Sequence, residues 1–250
     1  MGFFDWPAPG FTALDQLMAT ALPDWLRLTI WAGVAAIGTM LLYKWLSPQS
    51  RIAEAKKNAR EARQRLNAFD GDFADAGPLI RRQFATAFRH VGLVVPGTLL
   101  AILPLLSLLL WAETYYGHRL PPPDDPPTVR TVPEGAETRW NGAQQPAELS
   151  VFNGPTLVAA IDMTAPVGIV TKQPWWHWLA ENPLGYLPDD APVEQVWIAL
   201  PERHVLPFGP DWLRSWLAVF MPVMFAAVSF TPLTRPRIAT VYIVVVARSL

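Results

Sequence analysis

The residues of this chain whose types could do chemistry are four histidines, two adjacent pairs of aspartates, a run of arginines and a tight group of tryptophans. A metal site gathers His, Asp or Glu at short helical or loop spacings, and His90, His118, His177 and His204 share no such spacing. Asp124-Asp125 and Asp189-Asp190 sit among prolines, where paired acids serve turns and solubility better than general acid and base work. The lack of cysteine removes disulfides, thiolate metal sites and cysteine nucleophiles. No phosphate-cradling glycine loop, nucleophile elbow or dinucleotide fingerprint is present. The expectation is a protein that is not an enzyme and that carries no cofactor and no metal.

Binding chemistry is better represented. Nine Lys and Arg lie between Arg51 and Arg89, among them Arg60, Arg63, Arg65, Arg81 and Arg82, and Lys44 stands just before them. Clustered bases of this kind suit anionic lipid, ribosomal RNA or an acidic partner, or simply form a solvated face. Trp175, Trp176 and Trp178 suit a membrane interface or a protein contact, with a plain core role equally open.

The elements that position these residues are read from hydropathy. An apolar content of 51% is high for a soluble chain, and the apolar residues are clustered. Residues 26–46 hold only Arg27 and Lys44 as charges, near the ends, where long basic side chains can snorkel to headgroups. Residues 91–112 hold no charge, and residues 212–231 hold one, Arg214. Each stretch matches the roughly 20 residues that cross a bilayer. Residues 1–25 carry Asp5, Asp15 and Asp24 and no base, unlike a signal peptide, so the first span is expected to be retained. Within them Phe11, Leu14, Leu17, Met18, Ala21 and Leu22 recur at helical spacing, which predicts a short amphipathic helix lying on the membrane or on the protein's own outer domain.

Between the first two spans, Ile52, Ala55, Ala59, Ala62, Leu66 and Phe69 form a heptad seam that predicts a helix over 49–69. Ile80, Phe84, Ala87 and Val91 continue an apolar stripe into the second span, so residues 47–90 should fold as an antiparallel helical hairpin. Residues 51–90 carry nine bases against five acids, whereas 113–211 carry five bases against thirteen acids. Under the positive-inside rule the hairpin and the tail 232–250 are cytoplasmic, and 1–25 and 113–211 lie outside. After the prolines at 121–127, short β-branched runs at 148–152, 156–163, 167–171 and 195–200 predict a small β-rich domain. The apolar run 238–247 is too short for a helical span and reads as a strand or a segment covered by another chain. The fold class is therefore an α-helical membrane protein with three transmembrane helices, a cytoplasmic helical hairpin and a small extracytoplasmic β-rich domain, placed in a bacterial inner membrane.

The stretch Tyr43-Lys44-Trp45-Leu46-Ser47-Pro48-Gln49-Ser50-Arg51-Ile52-Ala53-Glu54-Ala55-Lys56-Lys57, followed by the turn Asp70-Gly71-Asp72, resembles the Oxa/YidC superfamily of membrane-protein insertases. The branch it looks most like is the archaeal and endoplasmic-reticulum one, which includes the insertase subunit of the ER membrane protein complex. The resemblance covers about residues 26–112, with 212–231 added by topology, and residues 113–211 stand where the family has a short loop. It implies three spans around a membrane-thinning, partly hydrophilic groove for a client transmembrane segment, with the hairpin receiving the client or recruiting a ribosome. Lys44 and the hairpin arginines would then guide clients. The expected function is membrane-protein insertion or assembly without covalent chemistry, and the expected partners are lipids, other membrane chains and a ribosome, not DNA. The alternative is an accessory structural subunit of a larger energy-transducing or transport complex, which the Trp-rich outer face, the proline linker and the apolar tail favour.

Overall fold

The structure is a computed structural model and describes residues 2–71 and 76–230. Asp72 of the hairpin turn and the apolar run 238–247 lie outside the described residues. Helix α1 (Ala8–Ala19) follows Pro7 and has Pro9 in its first turn, where a missing N–H costs nothing, and its pattern ends before Pro23. Helix α2 (Asp24–Leu46) follows, with Asp24 in its first turn and Lys44 in its last, each favourably placed on the helix dipole. After Pro48 come α3 (Gln49–Asn67) and then α4 (Gly77–Tyr116), in which the second hairpin helix and the expected second span form one continuous helix of 40 residues. Pro96 and Pro104 lie inside α4, and the Thr98 hydroxyl donates to the Val94 carbonyl at 3.0 Å within that stretch.

Helices α2 and α4 are both long and apolar enough to cross a membrane, which fits a helical membrane protein with a small β domain. The region expected as a third span differs in its start. Ser215 is extended, so Trp212 belongs to the short α5 (Asp211–Arg214), and α6 (Trp216–Phe230) has 15 described residues.

Contacts divide the chain into two compact units. One combines Met1–Gly33 with Leu106–Met224, and the other is built on Val34–Leu105. The first unit holds two three-stranded antiparallel sheets. In one, β6 (Gln195–Ile198) lies between β1 (Val129–Val132) and β5 (Ile169–Thr171). In the other, β3 (Glu148–Asn153) lies between β2 (Glu137–Asn141) and β4 (Thr156–Asp162). Alternation along β3 sends Leu149 and Val151 into a core with Ile161, Met163, Val170, Val196 and Ile198. Gly154 opens the two-residue turn from β3 to β4 at φ +59°, a left-handed conformation that glycine adopts without a Cβ penalty.

In the second unit the α3 seam is the packed face: Ala55 and Ala62 are buried, and Ile52, Ala59, Leu66 and Phe69 are half-buried. The expected stripe on α4 is not its packed face. Of that stripe Ile80 is half-buried, but Phe84, Ala87 and Val91 are exposed, Phe84 stacks on the exposed Phe88, and the covered positions include Gln83, Thr86, His90, Leu93, Gly97 and Ala101. A small-residue seam brings backbones close, and close backbones admit small or slim side chains opposite while large rings turn away.

Candidate functional site

In the first unit, at the start of α2 and the end of α4, charge is buried. Asp15, the one acid of α1, has 0% exposure and Arg27 of α2 has 4%. Burying either charge alone would be costly, and each is compensated. The Arg27 guanidinium donates to the carboxylates of both Asp15 and Asp24. Asp15 Oδ1 also accepts the Tyr116 hydroxyl at 2.5 Å and the Trp31 indole N–H at 3.1 Å. Asp24 Oδ2 takes two N–H groups of Arg203, at 2.9 and 2.7 Å, and the third nitrogen of Arg203 donates to the Tyr115 carbonyl at 2.8 Å. The Arg203 guanidinium lies 4.9 Å from the centre of the Tyr116 ring, close enough for a cation–π contact.

Two acids and two arginines thus form a closed set that ties α1, α2, the end of α4 and the segment around Arg203 together. That segment is held further by the backbone, with Arg203 N–H donating to Gly117 O and Arg119 N–H to Pro201 O. Beside the ions, Phe11, Trp31 and Trp111 meet with ring centroids 5.3 to 5.7 Å apart, and the Trp111 N–H donates to the Thr12 hydroxyl at 2.9 Å. Spent largely on one another, these charges hold elements in place, while Arg27 Nε is buried with no hydrogen-bond partner among the described residues.

The residues singled out by sequence fall elsewhere. Lys44, Arg60, Arg63, Arg65, Arg81 and Arg82 are all exposed, and none has an ion-pair partner among the described residues. Arg81 and Arg82 line one open depression with Gly77, Pro78 and Ala85, while Arg51 and Arg89, from opposite helices, share another hollow with Glu54. Trp175, Trp176 and Trp178 sit on one loop and are exposed, Trp175 by 82%, so they do not form a core. That loop is fastened to the chain's start: Phe3 N–H donates to Trp178 O at 2.8 Å, Phe4 N–H to Leu179 O at 2.9 Å, and Glu181 N–H to the Asp5 carboxylate at 2.6 Å. The histidines do not converge. His177 stays within its own loop against Pro174 O, His204 is 4.0 Å from Asp211, and among the described residues no three metal-ligating side chains meet.

The buried knot was missed by sequence reasoning, and Arg27 was misplaced by it. Arg27 does not snorkel outward; it turns inward, because Asp15 and Asp24 offer it two carboxylates. The available signal was an arginine inside an apolar helix with one acid three residues before it and another in the preceding amphipathic helix.

Compared with models of protein families, with curated proteins and with solved structures, the chain matches none.

Proposed function

We propose that the chain is an accessory structural subunit of an inner-membrane complex, acting without covalent chemistry. The observation that carries this reading is the closed set Asp15, Asp24, Arg27 and Arg203. It spends the buried charges of the first unit on joining α1, α2, α4 and the return segment, as a scaffold requires, and leaves recognition to exposed groups. Those groups are the basic face of the hairpin and the tryptophan loop. By the basic charge of 51–90, the hairpin faces the cytoplasm, and 1–25 and 113–211 face outward across a bacterial inner membrane. In this topology α6 supplies the third crossing, and its 15 described residues span about 22 Å of a hydrocarbon core of ~30 Å.

Extraction from native membranes in mild detergent, followed by native mass spectrometry, is expected to return the chain in fixed stoichiometry with a second membrane protein. A monomer with bound lipid alone would overturn the reading. The second reading, an insertase of the Oxa/YidC kind, is favoured by one observation, the exposed arginines along α3, which have no ion-pair partner among the described residues. It predicts that the purified chain in vesicles inserts a short-tailed client with no other protein present.

A further inference from the structure

Helix α1 is built inside out for a helix facing water. Its charged residue, Asp15, is fully buried, the Thr12 hydroxyl accepts the Trp111 N–H on the inner side, and the outer side shows Leu14 and Leu17, the latter 69% exposed, with Gln16 as the polar exception. Just before α1, Phe3 and Trp6 are also exposed, Trp6 by 80%, and the tryptophan loop is fastened on Phe3 and Phe4. A polar interior under an apolar exterior is the pattern of an element whose solvent is lipid.

The contacts also fix its depth. Asp15 meets Arg27 on α2 and Tyr116 on α4, while Phe11, one turn earlier, meets Trp31 on α2 and Trp111 on α4. Since both turns touch both helices, α1 runs along the groove between them, antiparallel to α2. Trp31 is seven residues into α2, so Phe11 lies about 10 Å past the start of that helix, and Ala8 lies deeper still. The beginning of α1 therefore lies beside the outer halves of α2 and α4, about 15 Å past the start of α2.

We infer that residues 2–19 and the loop 174–180 form a re-entrant wedge that lies in the outer leaflet beside the spans, with Phe3, Trp6, Leu14, Leu17 and Trp175 against lipid. The occupant is lipid rather than a partner chain because α1 packs directly on α2 and α4, the two helices long and apolar enough to cross a membrane, and its outer side faces the medium that surrounds them. Aromatic rings are favoured at that depth, where one edge is apolar and the other wet.

This inference rests on the membrane reading of α2 and α4, and the test separates the two. The chain has no cysteine, so a single introduced cysteine reports alone. Full-length Leu17→Cys, Trp6→Cys and Trp175→Cys, each labelled with the polarity-sensitive dye NBD, are reconstituted into vesicles of phosphatidylethanolamine and phosphatidylglycerol. Ile30→Cys serves as the span reference and Thr138→Cys, exposed on β2, as the water reference. The expected result is a blue-shifted emission, lost on adding doxyl-labelled lipid, at Leu17, Trp6 and Trp175 as at Ile30, with neither effect at Thr138. Water-like signals at the three wedge positions with a lipid signal at Ile30 would overturn the wedge alone. A blue shift without doxyl quenching there would overturn it in favour of a covering protein chain, and a water-like signal at Ile30 would overturn the membrane reading itself. Comparing the three wedge labels also guards against a variant that fails to fold.

Discussion

Gly97 of α4 lies against Ser47 at the end of α2 so closely that a Cβ on Gly97 would sit 2.2 Å from Ser47 Oγ and 3.2 Å from Ser47 Cβ. Rotating the Ser47 hydroxyl relieves the first contact but not the second. Gly97→Ala gains about 0.8–1.0 kcal/mol of helix propensity and incurs about 1–3 kcal/mol of overpacking, so a net loss of about 1 kcal/mol is expected. Ser47 Oγ is buried with no hydrogen-bond partner among the described residues, so Ser47→Ala should be neutral or slightly stabilising and should recover part of the loss in the double variant. Denaturation in detergent followed by far-ultraviolet circular dichroism measures both. Fully additive effects would show that the two residues do not press on each other.

The Asp15 and Arg27 pair is the stronger constraint, because both groups are almost wholly out of solvent. Asp15→Ala leaves the Arg27 guanidinium with one carboxylate fewer and orphans the Tyr116 hydroxyl and the Trp31 N–H, for an expected loss of about 3–5 kcal/mol. Adding Arg27→Met to Asp15→Ala removes the stranded charge. The double variant is expected to be more stable than additivity predicts, by about 1–2 kcal/mol. Unfolding midpoints of the four proteins in one detergent decide the point, and a coupling near zero would mean that the pair is not what holds α1 in its groove.

Arg203 joins the return segment to the same knot through a fork that a lysine cannot reproduce. Its pair with Asp24 is about a quarter exposed, so the loss expected for Arg203→Ala is smaller, about 1–2 kcal/mol. Arg203→Lys should recover little of it. The direct readout is amide hydrogen exchange: Arg119 and Arg203 N–H, which donate across to Pro201 and Gly117, should exchange faster in both variants. Unchanged protection at those two amides would show that the backbone pairing holds without the guanidinium.

Periodicity made the helices legible and left their faces partly hidden. The seam from Ile52 to Phe69 was readable because alanines at heptad spacing have few other uses in so basic a stretch. The stripe Ile80, Phe84, Ala87 and Val91 misled because apolar spacing marks a face without saying whether protein or lipid covers it. Near a membrane, large apolar residues face outward as readily as inward. Four strands were visible as β-branched runs, with β5 and β6 ending shorter than read. Strands β1 and β2 were not, because β1 is only four residues long, lies close behind the prolines and carries Arg and Thr between its two valines, while β2 carries Glu, Thr, Arg and Asn around Trp140. The knot was hidden for a different reason. Asp15 and Tyr116 are 101 positions apart, and nothing local to either residue says that the other is its partner.

The two sides of α3 should respond oppositely to substitution. Ala62 is buried in the seam, so Ala62→Leu forces the hairpin apart at an expected cost of about 1–3 kcal/mol. Arg60, Arg63 and Arg65 are exposed, and the triple charge reversal to Glu should change stability by no more than about 0.5 kcal/mol per site. Binding is where the reversal should register. If the basic face holds an acidic partner chain or the inner leaflet, the triple variant should keep its fold by circular dichroism yet lose its partner during extraction. The parent complex should meanwhile dissociate more readily as salt is raised past a Debye length of about 8 Å. Client insertion by the purified chain in vesicles separates this from the insertase reading. A triple variant that keeps its partner but loses insertion would assign the arginines to client handling, and the scaffold role would then have to give way.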